Sequence, residues 1–157
     1  MTGDVADIRQ SDYLYDGWRQ CEKSITFAGG TTNAIGDHDG TNDPFDIFTV
    51  TGDVKVKVIA VCTTSLTGDS STLEVGTTLS TAGIIALTTC TDIDAGMIWH
   101  DATPDVDMEL SSVVKEYILA DGADIIGTVK TANITAGVIK FTVMWKAVSR
   151  NGDLIAA

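Results

Sequence analysis

The chain has 157 residues, 44% of them hydrophobic and 20% charged, a size that makes one domain the default and a composition that excludes intrinsic disorder. A net charge of −12 opposes docking on a nucleic-acid backbone or an anionic membrane, so neither is an expected partner. No apolar run is long enough for a membrane-spanning helix, and the first residues lack the basic and apolar regions of a secretory signal, so Cys21, Cys62 and Cys90 are expected as reduced thiols.

Residues 1–22 stand apart. Val5, Ile8, Tyr15 and Trp18 recur near helical spacing, with Tyr13 and Leu14 adding apolar surface and Asp4, Asp7, Asp12 and Asp16 between them. This is an N-terminal arm or a short helix, folded back on its own domain or docked on a neighbouring subunit. From residue 23 onward the pattern is all-β. Lys23–Ala28 reads as a first strand stopped by Gly29-Gly30, and a polar loop runs from Thr31 to Pro44. Phe45–Cys62 then reads as two strands joined by a tight turn at Gly52-Asp53, a hairpin. In its second strand Val54, Val56, Val58 and Ala60 share one face, with Lys55, Lys57, Ile59 and Val61 on the other.

Short strands are expected at Thr72–Val75, Ile84–Leu87 and Met97–Trp99, and an irregular loop at Asp101–Asp107 around Pro104. Val113–Leu119 favours strand over helical turn, Ala120–Asp124 is a turn, and Ile125–Ile134 is a strand. Gly137–Val148 alternates most clearly: Ile139, Phe141, Val143, Trp145 and Ala147 face one way, and Lys140, Thr142 and Lys146 the other. Short strands with turn signals at this spacing indicate a single-domain β-sandwich or jelly roll over residues 23–157.

Motifs for chemistry are sparse. Asp37, Asp39 and Asp43 alternate around glycines as calcium ligands do, but the spacing is not that of an EF-hand and no glutamate closes the loop, so an acidic turn is the better reading. His38 and His100 each precede an aspartate. A zinc site needs three protein ligands, and His100 follows Trp99 at a strand end, where a satisfied structural histidine is expected. There is no nucleophile elbow, phosphate-binding loop or dinucleotide fingerprint, so an enzyme is not expected and no cofactor is implied. Trp145 reads as core, whereas Trp18 reads equally as core or as interface anchor.

The runs SITFAGGTTNAIGDHDGTNDPFDIFTVTGDVKVKVIAVC, LEVGTT and ADIIGTVKTANITAGVIKFTVMWKAVSRNGD, the last with its G-x-I-K-F-x-x-x-W strand and polar Asn-Gly-Asp tail, cover most of the chain from Ser24 to Asp153. They resemble small proteins encoded near the capsid genes of tailed bacteriophages, in particular capsid decoration (cement) proteins. The resemblance implies a β-sandwich or jelly roll, a homotrimer on the outer surface of the virion head, the major capsid protein as partner, and no catalytic residues. Tyr13, Tyr15 and Trp18 are the expected contact residues. A tail or baseplate component, and a calcium-dependent carbohydrate-binding module using Asp37, Asp39 and Asp43, are the alternatives.

Overall fold

The computed structural model describes residues 17–29 and 41–157. Among them are eleven strands: β1 (Arg19–Phe27), β2 (Thr41–Thr51), β3 (Val54–Thr67), β4 (Thr72–Thr77), β5 (Ser80–Thr89), β6 (Met97–Trp99), β7 (Asp105–Val106), β8 (Glu116–Leu119), β9 (Ile125–Lys130), β10 (Ala136–Ala147) and β11 (Asp153–Ala156). Among the described residues, 3₁₀ turns lie at Cys90–Asp92 and Ser111–Val113. Among the described residues no helix is long and apolar enough to cross a membrane.

The strands form two antiparallel sheets. One runs β1-β10-β3, with β8 and β6 on successive stretches of the far edge of β3 and β7 beyond β6; the other runs β11-β2-β9-β4-β5. Leaving aside β6, β7 and β11, the orders β1-β10-β3-β8 and β2-β9-β4-β5 are those of a jelly roll, two interleaved Greek keys closed into a sandwich. The all-β sandwich expected from turn spacing is the observed fold.

One local expectation is corrected. Gly52-Asp53 does join two strands, but they are not a hairpin. β2 pairs with β9 and β11, while β3 pairs with β10, β8 and β6, so the turn carries the chain from one sheet to the other. Gly52 supplies the positive φ of 62° that this reversal needs. The first strand starts at Arg19 rather than Lys23, the ninth ends at Lys130 rather than Ile134, and the tail after Asn151 forms β11 beside β2.

Alternation then builds the core. Ile25 and Phe27 of β1, Val54, Val56, Val58 and Ala60 of β3, and Ile139, Phe141, Val143 and Trp145 of β10 line one inner face. Phe45, Ile47, Val50, Leu73, Val75, Ile85, Ile125 and Val129 line the other. Ile47 and the adjacent Phe48 are both buried because the ladder with β9 shifts register between Asp46 and Phe48; a bulge lets consecutive side chains point inward. Ala147, expected inside, is exposed at the C-terminal end of β10.

The three cysteines are free thiols, and burial pushes all three above their ordinary pKa, which disfavours the reactive thiolate.

Candidate interaction surface

Among the described residues nine large apolar side chains are exposed, and three of them fall in one short stretch. Between β6 and β8 the chain reads Asp105-Val106-Asp107-Met108-Glu109-Leu110. Such alternation on a half-exposed strand ordinarily turns its apolar members inward. Here the burial is reversed. Val106, Met108 and Leu110 are 64%, 83% and 69% exposed, whereas the Asp105 and Glu109 side chains retain only 35% and 22% of theirs.

The reversal has a local cause. Trp99 is buried in the core, opposite Ala60 of β3, and β6 pairs with β7 through Met97↔Val106 and Ile98↔Asp105. His100, next in the chain, is held against the domain with its side chain 6% exposed. Its ring nitrogens face carboxylates. Nε2 lies 3.5 Å from Asp105 Oδ2 and 3.4 Å from Glu109 Oε2, and Nδ1 lies 3.9 Å from Asp101 Oδ2. Asp107 takes a left-handed φ of 61° between the two inward acids, and its N–H donates to Gly96 O at 3.2 Å.

The acids also act on one another. Hydrogen bonding to Glu109, then burial and the Glu109 charge, push the Asp105 carboxyl above its ordinary range against the pull of His100. Glu109 is held below its ordinary range, first by the Leu110 backbone N–H, then by Asp105 and His100. Among the described residues, no lysine or arginine is paired with Asp101, Asp105, Asp107 or Glu109. His100 is thus a half-buried histidine whose side chain is largely covered and whose ring nitrogens face carboxylates. Asp105 and Glu109, its partners, carry no motif signal at that spacing in the sequence.

Of the contact residues expected from sequence, Tyr13 and Tyr15 lie outside the described residues. Trp18 is half-buried beside the outer face of the β1 sheet, with Lys57 Nζ 5.5 Å from its ring centroid. Trp145 is core, as expected, with Arg19 over its ring at 5.2 Å. Of the calcium candidates, Asp37 and Asp39 lie outside the described residues. Asp43 pairs through its backbone with Val129 in the β2–β9 ladder, so it belongs to a strand and not to the polar loop. Lys55 and Lys57, which offer positive charge on an acidic chain, are bridged by Glu116 at 3.1 and 3.9 Å.

No protein-family model matches the chain, and no curated protein matches it. Among solved structures it is similar to a chain of the cyanophage Pam1 capsid asymmetric unit, with 14% identity and a TM-score of 0.39, over 82% of this chain and 83% of that one.

Proposed function

We propose that this chain is a non-catalytic virion structural protein of a tailed bacteriophage, a cement protein on the outer face of the head. It clamps neighbouring major capsid protein subunits as a homotrimer. The observation that carries this reading is the reversed segment: Val106, Met108 and Leu110 are exposed while Asp105 and Glu109 turn toward His100. An isolated exposed apolar residue is ordinary, but three within five positions favour a partner surface.

The sequence resemblance to phage decoration proteins supplies the kind of partner, and an unconnected fold argument does not, because a jelly roll hosts many functions. The segment is suited to shell binding. Its apolar side chains meet capsid protein directly, and an acidic surround keeps the free protein dispersed. A three-fold assembly presents three copies to a three-fold shell position, so individually weak contacts act together.

The test is a triple substitution, Val106→Ser, Met108→Ser and Leu110→Ser, in the full chain. These side chains are exposed, so the variant should keep its melting temperature within a few degrees. Cosedimentation with phage shells lacking the protein should fall at least tenfold. Undiminished binding by a folded variant would remove the segment from the interface. Binding to tails in place of shells would favour a tail component instead.

A further inference from the structure

We propose that His100, Asp105 and Glu109 are three ligands of a tetrahedral, zinc-class divalent cation, with Asp101 behind the imidazole and the fourth position open to solvent. The geometry carries it. Two donors on a tetrahedral zinc, each at about 2.0–2.1 Å, stand about 3.3–3.4 Å apart. His100 Nε2 stands 3.5 Å from Asp105 Oδ2 and 3.4 Å from Glu109 Oε2, and one ligand atom from each of the three residues falls within 4.8 Å of the others. Those separations are long for a direct hydrogen bond, which prefers about 2.9 Å. They match the edge of a shared coordination sphere.

The imidazole supplies the nitrogen donor. Its side chain is 94% buried, taking the 6% exposure from unity, yet its polar partners among the described residues are only these carboxylates. A buried ring whose Nε2 is aimed at two acids presents its nitrogen as metal-bound histidines do. Asp101 Oδ2 lies on the other side of the ring, 3.9 Å from Nδ1 and beyond hydrogen-bond distance. A cation also answers the charge problem, since two neighbouring carboxylates with no lysine or arginine partner repel each other. Mixed nitrogen and carboxylate donors suit zinc and its neighbours, whereas calcium asks for six to eight oxygens at longer range.

The ion would tie the start of the β6–β7 loop to the end of the reversed segment, across residues 100–109. It holds the acids in and so fixes the outward side chains. This inference does not depend on the capsid reading, and its test uses the free protein.

The full chain is stripped with EDTA, dialysed and titrated with Zn²⁺, Co²⁺ and Ca²⁺ in turn. Zinc at a hundredfold excess over its Kd should raise the melting temperature by about 5–10 °C, as expected for a ligand bound only by the native state. Cobalt should give the strong visible absorption of a tetrahedral site, and calcium should give neither effect. The variant Asp105→Asn/Glu109→Gln should lose both responses while the metal-free protein stays folded. Absence of both responses in the native chain overturns the proposal. Unchanged responses in the variant overturn it too, by placing the ion elsewhere. Should the variant not fold, the imidazole ¹⁵N signals of the native protein decide. Zinc should shift Nε2 of His100 more than Nδ1, and unmoved signals are contrary.

Discussion

Replacing Trp99 with alanine should destabilise the protein by about 3–5 kcal/mol, the range for deleting a large aromatic side chain from a packed core. Trp99 is fully buried, and it faces Ala60 of β3 across the ladder, where a small partner leaves room for the indole. Its ring meets Phe141 edge-on, with centroids 6.3 Å apart and planes at 62°. Its Nε1–H donates to Thr88 Oγ1 at 2.9 Å, and the same hydroxyl donates to Ala86 O at 2.9 Å. Thr88 belongs to β5 in the opposite sheet, so one side chain from the short strand β6 bridges the two layers. At about 2–4 °C per kcal/mol for a chain this long, the melting temperature should fall on the order of 10 °C. Thr88→Val should cost less, about 1–3 kcal/mol, because it orphans the buried indole N–H without opening a cavity. Equal losses for the two variants would show that packing around Trp99 contributes little.

The second large effect concerns Glu74. Its carboxylate is almost completely buried on the outer side of β4, and Lys130 Nζ reaches it at 2.7 Å from the neighbouring strand β9. The pair is diagonal in the ladder, since Thr72 stands opposite Lys130 and Glu74 opposite Thr128. Lys130→Met keeps the length of the aliphatic stem and removes the charge. It leaves a buried carboxylate without its counter-ion, which costs about 3–5 kcal/mol. Adding Glu74→Gln to that variant should recover most of the loss, because a neutral amide carries a far smaller desolvation penalty. Thermal or urea unfolding of the single and double variants reads this directly. A double variant no more stable than the single would assign the loss to the lysine stem and not to the charge.

The sequence made faces legible and left pairings hidden. Alternation in Val54–Ala60 and Ile139–Trp145 identified the inward residues correctly, because a strand's side chains repeat every two positions whatever it pairs with. The partner of a strand is a tertiary property, so the turn at Gly52-Asp53 looked like a hairpin although its two strands belong to different sheets. β11 was missed because only Leu154 of its four residues is buried, too little for a periodic signal.

The reversed segment is the instructive case. The alternation from Asp105 to Leu110 is visible in the sequence, but period two does not say which side faces in. The default puts the apolar set inside. Here Asp105 and Glu109 turn toward His100, whose side chain is held against the domain next to Trp99, the residue that fills the core. The candidate site therefore depends on a contact five and nine residues along the chain, at a spacing no local motif records.

Cryo-electron microscopy of the phage head, with and without this chain, decides whether it is a cement protein. Three-fold protrusions should stand on the outer shell surface, each fitted by three copies of the sandwich, with Val106, Met108 and Leu110 at the density of the major capsid protein and the protrusions missing when the chain is absent. Heads identical with and without the chain, or its density found on the tail, would contradict that role.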